Sequence, residues 1–341
     1  MDRLWSGPAA LGSPGDMMPR VSVVTPYYAA ELYLARTIES LLAQSLDDWE
    51  QVIVDDGSPG DVGSVLAPYV QDPRLKLVHQ PNGGPSNARN NGLAICSSDS
   101  PYLLFLDADD CLESDMLATM VAYLEAHPDV SFAFCDRVLI DAVDELIPEY
   151  REDLIRRYMP TNLGVRTLRA DEPVTPFESF FGYSIAVPSA AIIRRSAFDA
   201  VGGWDESLGP IFEDTDMWLR LTLQGTAHYV PRRLVRRRLH GKQNTRSPGA
   251  RQKQMDATAK FELKWKTANG LSPAERLRVK RARRFKEGRV LPFLWFAWAR
   301  ENLRRGSRWE ACKCFLRGCR QMARHLPGVV LGARLAAGAR P

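Results

Sequence analysis

The sequence predicts an α/β fold in which a doubly wound, mostly parallel sheet is followed by a C-terminal extension of basic helices. Short apolar runs alternate four times with segments of helical periodicity, and the charge of the chain changes sign near residue 220. The length of 341 residues accommodates about two domains. We predict a disordered N-terminal segment over residues 1–19, the α/β domain over 20–245 and a helical extension over 246–341.

Four strands, each followed by a helix, are predicted in the first 126 residues. The strands are short apolar runs, and the helices carry apolar residues at three- and four-residue steps, as Leu34, Ile38 and Leu41 do. Because a strand–helix–strand unit forms a right-handed crossover, neighbouring strands are expected to be parallel. The predicted strands cover 21–25, 49–54, 75–79 and 102–106, and the predicted helices cover 32–45, 60–70, 86–95 and 115–126.

The rest of the α/β domain has a less regular pattern. Residues 136–176 carry many charges, several prolines and no steady period, so we expect an excursion from the core fold there. An acidic helix start is predicted at residue 213, and the polar segment 239–245 closes the domain. The predicted strands cover 130–135 and 190–193, and two edge strands are predicted at 228–230 and 234–239.

The charge distribution predicts that the extension faces an anionic partner. Residues 1–220 carry 15 Lys/Arg against 35 Asp/Glu, whereas residues 221–341 carry 30 against 6. The partner is a bilayer surface, a nucleic acid or an anionic substrate, unless the two halves neutralise each other across an interface. Arginine clusters at 232–233 and 236–238 motivate the nucleic-acid alternative, but the sequence contains no recognisable nucleic-acid-binding module.

Within the extension, residues 290–305 and 308–325 are predicted to form a helical hairpin. Trp295 and Trp298, beside Arg300, Arg304 and Arg305, fit either a packing face or an interfacial membrane helix. The second helix carries a stripe of apolar residues, which predicts one packing face and accounts for its cysteines without chemistry. The stripe consists of Trp309, Cys312, Phe315, Leu316, Cys319, Met322 and Leu326.

Several features of the sequence predict a cytoplasmic location, at the inner face of the membrane if the extension binds lipid. The longest apolar run, 290–298, has nine residues and contains Pro292, which is too short to span a bilayer. The first twenty residues are broken by glycines and prolines and do not resemble a signal peptide. The six cysteines lack metal-ligand spacing and are predicted to be reduced, mostly buried thiols.

The strand predicted at 102–106 ends in the acidic turn Asp107-Ala108-Asp109-Asp110. Ligands of open α/β sheets bind outside the carboxyl ends of the strands, and paired carboxylates supply the oxygen ligands that Mg²⁺ or Mn²⁺ prefers. The alternative is a helix cap, in which Asp110 or Ser114 starts the following helix.

Three further strand ends are expected at the same edge of the sheet, and together they suit a nucleoside diphosphate. Tyr28 offers a stacking face for a base, and Asp55 or Asp56 can accept hydrogen bonds from a base or ribose. The glycine turn at Gly84 lets the backbone approach phosphate, and Arg89 can pair with a base carbonyl or the diphosphate. Neither a dinucleotide-binding glycine fingerprint nor a P-loop motif is present.

Five motifs in order resemble the family 2 glycosyltransferases with a GT-A-type fold, and the resemblance covers about residues 20–245. It implies transfer of a sugar from a nucleotide-sugar, with a UDP-sugar as the expected donor, to an acceptor hydroxyl with inversion, in polysaccharide or glycoconjugate synthesis. It also implies a Mn²⁺ or Mg²⁺ cofactor and a carbohydrate or glycolipid acceptor. The motifs are SVVTPYY at 22–28, DDGS at 55–58, GGPSNARNNG at 83–92, LDADD at 106–110 and EDTDMWLR at 213–220.

The resemblance also implies residue roles. Asp214 is the base that deprotonates the acceptor, Asp109 and His240 bind the metal, and Asp107 binds ribose or metal. Ala29 stands where the family often has asparagine. Thr25, Tyr28, Asp55, Asp56, Gly84 and Arg89 are the remaining expected donor contacts.

Simpler interpretations of these residues stay open. Glu213 and Asp214 also suit a helix N-terminus, and His240 can be a solvated histidine. Trp204 and Asp205 shape the acceptor side, unless Trp204 belongs to the core. For the whole chain, the alternative function is a non-catalytic nucleotide-sugar-binding or scaffold protein on the same fold.

Overall fold

The computed structural model contains one eight-stranded sheet with the order β3-β2-β1-β4-β7-β6-β8-β5. It describes residues 18–147, 177–182, 185–241, 243, 250–287, 295–296, 299–300, 303 and 306–325. The strands are β1 Val21–Tyr27, β2 Trp49–Asp55, β3 Leu75–His79, β4 Tyr102–Phe105, β5 Cys111–Leu112, β6 Val130–Ile140, β7 Ala191–Arg194 and β8 Thr226–Arg238.

Helices lie between most of the strands and continue beyond the last one. In the described residues they are α1 Glu31–Leu42, α2 Val62–Leu66, α3 Pro85–Ile95, α4 Met116–Ala126, α5 Phe177–Gly182, α6 Arg195–Val201, α7 Glu213–Gln224, α8 Ala250–Thr267, α9 Pro273–Phe285 and α10 Arg308–His325. None of the described helices is long and apolar enough to cross a bilayer. Residues 1–17 of the N-terminal segment predicted to be disordered, and most of the predicted excursion, lie outside the described residues.

The predicted doubly wound, mostly parallel sheet is confirmed. β1 pairs in parallel with both β2 and β4, and β2 pairs in parallel with β3. β7 then runs antiparallel between β4 and β6, while β6 and β8 are again parallel. The strand order therefore reverses between β1 and β4, which is the topological switch point at which open α/β sheets bind ligands.

Both faces of the sheet are covered, so its central strands are buried along their length. On β1, Val23 and Val24 point to opposite faces and join two different apolar clusters. α3 lies very close to β1 and β2, because a Cβ built on Gly92 would stand 2.5 Å from Val24 Cγ1. This close approach fixes the position of the turn that precedes α3.

The predicted edge strands and the proposed helix cap do not agree with the structure. The edge strands at 228–230 and 234–239 are one strand, β8, and it lies inside the sheet between β6 and β5. Its pairing with β6 shifts register between Val230 and Arg233, so Pro231 falls in an irregularity that needs no ladder amide. The helix after the acidic turn begins at Met116 with Asp115 before it, so neither Asp110 nor Ser114 is its cap.

The C-terminal helices contact the α/β domain through α8 and α9. Phe261 and Trp265 of α8, together with Val279 and Ala282 of α9, are buried in the same cluster as the sheet residues Phe132 and Phe134. The extension is therefore packed on the core over these two helices.

The prediction that the apolar stripe forms the packing face of the last helix is wrong. On α10 the buried residues are Ala311 and Cys314, with Gly318 beside Phe296. Trp309 is 72% exposed, and Cys312 is exposed as well. Met322 contributes no described side chain, and Leu326, Trp298 and most of the predicted first hairpin helix lie outside the described residues.

Candidate active site

A cavity of about 1120 Å³ opens at the switch point of the sheet. Eight of the ten predicted site residues line this cavity, although they are up to 212 positions apart in the sequence. They are Tyr28, Asp56, Gly84, Arg89, Asp107, Asp109, Asp214 and His240. The structure therefore brings the acidic turn after β4 and the start of α7 to the same space.

The structure does not bring Thr25 and Asp55 to the cavity lining. Thr25 is fully buried and accepts a hydrogen bond from Gln51 Nε2 at 2.8 Å. Asp55 accepts from the Ser58 amide at 2.9 Å and lies 2.9 Å from His79 Nδ1. Both side chains therefore hydrogen-bond to protein groups near the ends of β1 and β2. Their direct contact with a nucleotide remains a prediction.

Three carboxylates of the acidic turn crowd together. Asp107, Asp109 and Asp110 each place an oxygen within 4.8 Å of the others. Burial, followed by the charges of Asp109 and Asp107, raises the pKa of Asp110 to about 8. Burial also raises the pKa of Asp107, which the Arg89 charge opposes and the Asp109 charge reinforces. Such crowding of like charges is relieved when a cation binds.

Asp109 is held from the end of β8. Its Oδ2 lies 2.9 Å from His240 Nε2 and accepts a hydrogen bond from Gln243 Nε2 at 3.1 Å. Burial tends to raise the pKa of Asp109, but these hydrogen bonds outweigh it and the pKa is lowered. The ionised form of Asp109 is thus favoured, and His240 is a partner of the acidic turn.

Asp110 has a different environment from the other two carboxylates. Its Oδ2 accepts from Ser189 Oγ at 2.7 Å, and its Oδ1 accepts from the Arg238 amide at 3.0 Å. The side chain is 2% exposed. Asp110 therefore joins the acidic turn to β8 and to the segment before β7, while Asp107 and Asp109 are more open to the cavity.

Arg89 connects the two acidic parts of the site. Its Nη2 donates to Asp107 Oδ1 at 2.9 Å, and its Nη1 donates to Glu213 Oε1 at 3.3 Å. The guanidinium also lies 4.5 Å from the centre of the Trp204 ring, and its side chain is only 4% exposed. Trp204 is buried in the core cluster, which confirms the core alternative for this residue.

The predicted base, Asp214, lies in the first turn of α7. The N-terminus of a helix favours a carboxylate, and Asp214 Oδ1 accepts from the Thr215 amide at 2.6 Å. Burial, followed by the Asp214 charge, raises the pKa of the neighbouring Glu213 to about 7. Phe212 precedes the pair with a φ of 70°, an unusual conformation for a bulky residue, and it also lines the cavity.

The glycine turn before α3 is held by Asp56. Asp56 Oδ1 accepts from the Gly83 amide at 2.7 Å, and Oδ2 accepts from the Gly84 amide at 2.9 Å. Gly84 has a φ of 84°, a conformation that glycine adopts without strain. These two amides, at which a donor phosphate was predicted, therefore donate to Asp56 in this structure. Contact of Gly84 with a donor phosphate remains a prediction.

Three residues that the sequence did not single out line the cavity or contact the acidic turn. Ser189 gave no local signal, since only the sheet topology brings it to Asp110. Arg237 lines the cavity, and its charge opposes the rise in the pKa of Asp107 and Asp110 and helps to lower the pKa of Asp109. In the sequence it belongs to the arginine cluster that motivates the nucleic-acid alternative. Gln243 lies in the polar segment after β8, where only its proximity to His240 hinted at a role.

The residues present fit a divalent cation. Carboxylate oxygens dominate the cluster, as Mg²⁺ and Mn²⁺ prefer. Burial raises the pKa of Asp107 and the Asp109 charge adds to the rise, and a bound cation would offset both effects. Asp107 and Asp109 could supply ligands, with His240 in reach of the same position through Asp109.

Comparison with solved structures identifies the fold as the GT-A type. The mannosyltransferase PcManGT from Pyrobaculum calidifontis, solved with GDP-Man and Mn²⁺, has a TM-score of 0.58 at 19% identity, covering 94% of this chain and 80% of its own. S. aureus TarS 1-349 in complex with UDP-GlcNAc has a TM-score of 0.53 at 16% identity, covering 87% of this chain and 89% of its own.

The sequence comparison then gives the family. The model of glycosyl transferase family 2 matches residues 22–202, more than half of the chain, and the chain belongs to this family.

Two curated relatives match a shorter region. The uncharacterized glycosyltransferase EpsJ of Bacillus subtilis is 38% identical over 110 residues, and the succinoglycan biosynthesis protein ExoW of Rhizobium meliloti is 41% identical over 103 residues. These matches cover 32% and 29% of this chain. They span about a third of the relatives' own length, 31% and 32%.

Proposed function

We propose that this chain is an inverting glycosyltransferase that moves a sugar from a nucleotide-sugar, with a UDP-sugar as first candidate, to a carbohydrate or glycolipid hydroxyl. The observation that carries the proposal is the meeting of the acidic turn and Asp214 on one cavity, with Arg89 between them. The names of the similar proteins support it, since one belongs to succinoglycan biosynthesis and two solved neighbours hold nucleotide-sugars.

Asp214 is the proposed general base. An inverting transfer needs one carboxylate on the face of the sugar opposite the leaving group, whereas a retaining glycosidase uses two carboxylates that flank the bond. The acceptor proton passes to Asp214 as the acceptor oxygen bonds to the anomeric carbon. The bond from that carbon to the diphosphate oxygen breaks in the same step, and its electron pair leaves with the diphosphate.

The donor side is assigned to the acidic turn and its partners. Asp107 and Asp109, with His240, would hold Mn²⁺ or Mg²⁺, and such an ion supplies Lewis-acid stabilisation of the departing diphosphate. Tyr28 is 55% exposed at the cavity and offers its ring to the base. Arg89 orients Asp107 and Glu213, since its guanidinium contacts both carboxylates.

The test is a panel of nucleotide-sugars, with UDP- and GDP-sugars among them, incubated with the full chain and a range of saccharide and glycolipid acceptors. We expect turnover of at least one donor with Mn²⁺ or Mg²⁺, its loss on chelation, and a product with inverted anomeric configuration. Retention of configuration would contradict the assignment of a single base. Calorimetric binding of UDP without turnover on any donor would instead favour the non-catalytic alternative.

The variant Asp109→Asn tests the proposed metal site independently of the proposed base. Asp109→Asn removes one proposed metal ligand and leaves Asp214 intact, so we expect the Mn²⁺ concentration needed for half-maximal turnover to rise. Unchanged metal dependence in Asp109→Asn would contradict the metal assignment without affecting the base.

A further inference from the structure

Helix α10 presents its large apolar side chains to solvent and its small ones to the protein. Trp309 is 72% exposed, Phe315 is 53% exposed and Leu316 is 49% exposed. On the opposite side, Ala311 and Cys314 are buried at 3% and 1%. A helix that packs only to stabilise the fold shows the reverse arrangement.

The small residues fix this orientation. A Cβ built on Gly318 would stand 2.8 Å from the Phe296 ring, so a larger side chain cannot occupy this position without displacing the ring. Trp309, Cys312 and Leu316 follow each other at three- and four-residue steps and therefore lie together on the other side of the helix. We call these three residues the outward stripe.

Cations accompany the outward stripe. α10 contains five Lys/Arg and a single acidic residue, Glu310. Lys313 Nζ lies 5.3 Å from the centre of the Trp309 ring, and Arg317 lies 5.1 Å from the centre of the Trp295 ring. Exposed tryptophan and leucine bordered by long basic side chains are typical of a helix that lies in the interface of an anionic bilayer.

We propose that the outward stripe of α10 docks the protein on the surface of an anionic bilayer. Its apolar side chains enter the boundary between headgroups and acyl chains, while Lys313, Arg317 and Arg320 contact lipid phosphates. α9 has a related design, since the exposed Leu277 lies among the exposed cations Lys280, Arg281 and Arg284.

The charge of the stripe argues against a second copy of this chain as the occupant. A two-fold dimer places the same patch against itself, which would bring the basic side chains of two α10 helices together. An anionic lipid surface neutralises the same cations.

The test is sedimentation of the full chain with vesicles, which needs no knowledge of the sugar. We expect binding to vesicles of phosphatidylglycerol and phosphatidylcholine, weakened by salt, and little binding to phosphatidylcholine alone. Trp309→Gln and Leu316→Gln should each lower the partition coefficient by about tenfold through lost apolar burial. Arg320→Gln should lower it about fivefold. Leu32→Gln, at a leucine 75% exposed on α1, is the matched control and should change nothing.

A spectroscopic readout tests the depth of insertion. The chain has eight tryptophans, so the contribution of Trp309 is the difference between wild type and Trp309→Phe, which keeps an apolar ring. Brominated lipids should quench wild-type fluorescence more than that of Trp309→Phe at equal vesicle binding. Equal quenching, or vesicle binding unchanged in Trp309→Gln and Leu316→Gln, would overturn the proposal. The proposal would also be overturned if the chain bound no vesicles and light scattering showed a dimer that Trp309→Gln and Leu316→Gln dissociate.

Discussion

The site contains a cation, Arg89, that is nearly removed from solvent. Arg89 has a side chain 4% exposed, and its guanidinium contacts Asp107, Glu213 and the Trp204 ring. Its two carboxylate partners, one in the acidic turn and one in the first turn of α7, are 106 residues apart in the sequence. A buried cation of this kind compensates charges that the fold brings together for function.

Replacing Arg89 by alanine should lower the free energy of unfolding by about 3–5 kcal/mol, because it leaves buried carboxylates without their partner. Denaturant unfolding measures the change. Arg232→Ala is the matched control: its ion pair with Asp115 is about half exposed, and its loss should cost less than about 1 kcal/mol. Equal effects of the two substitutions would show that Arg89 does not hold the site together.

Thiol reactivity offers a second test at the scale of single residues. Burial raises the pKa of Cys96 and Cys135 to about 12, so almost no thiolate forms at pH 8, whereas Cys312 is exposed. In the native protein we expect a thiol reagent to label Cys312 first, and Cys312→Ser to remove the fast phase. Fast labelling of Cys135 without unfolding would contradict the described core.

At the scale of elements, the position of α3 depends on the absence of a side chain at Gly92. A Cβ there would stand 2.5 Å from Val24 Cγ1 and 2.8 Å from Val54 Cγ2. Gly92→Ala should therefore destabilise the protein by about 1–3 kcal/mol through overpacking, although alanine favours a helix. Gly241→Ala, where a Cβ meets nothing within 4 Å, serves as the control in the same denaturant series. Stabilisation by Gly92→Ala would disprove the close approach.

α8 holds the helix that carries the proposed base. Lys264 Nζ lies 2.7 Å from Asp216 Oδ1, and Trp265 Nε1 donates to the same oxygen at 3.1 Å. Asp216 has no exposed surface and also accepts from Arg220. The C-terminal helices are thereby tied to α7, two residues from Asp214.

Lys264→Met should lower the free energy of unfolding by about 1.5–3 kcal/mol, the contribution typical of a hydrogen bond to a charged group. Lys313→Met removes an exposed pair with Glu310 on α10 and should cost less than about 0.5 kcal/mol. The two unfolding curves give the comparison directly. If Lys264→Met costs no more than Lys313→Met, the contact between α8 and α7 adds nothing to stability.

The sequence predictions are accurate where neighbouring residues determine the structure and fail where distant parts of the chain do. The strand at 75–79 and the parallel pairing of the first four strands were predicted, because local periodicity and β-α alternation determine them. β8 was divided into two strands because Pro231 and the arginines interrupt its pattern, while a register shift in the pairing absorbs them. The buried face of α10 was wrong because spacing shows which residues share a face but not which face is covered.

At the scale of the whole molecule, the candidate site shows the same limit. Asp107, Asp109 and Asp214 follow strand ends or helix starts, and this signal can be found in the sequence. Ser189 and Gln243 reach the acidic turn only through the long-range pairing of the sheet and the return of β8. The sequence therefore predicted the carboxylates of the site but missed Ser189 and Gln243, which hydrogen-bond to them, and the nearby Arg237.

The division of charge along the chain is also a property of the whole molecule. The acidic first 220 residues contain the carboxylates of the candidate site. The basic remainder supplies His240, which contacts Asp109, and the outward stripe of α10. One part of the basic region therefore neutralises the site, and another part faces outward. Substitutions on α10 can therefore test the proposed bilayer docking without changing the candidate site.

We propose that Asp214 removes the proton of the acceptor in a transfer that uses the cavity at the switch point. The most direct measurement is the turnover of Asp214→Asn on the donor that the panel identifies, together with calorimetric binding of the nucleotide. We expect binding close to that of the wild type and a turnover number lower by about 10²- to 10⁴-fold, the usual contribution of a general base. Transfer at the wild-type rate by Asp214→Asn would show that Asp214 is not the general base.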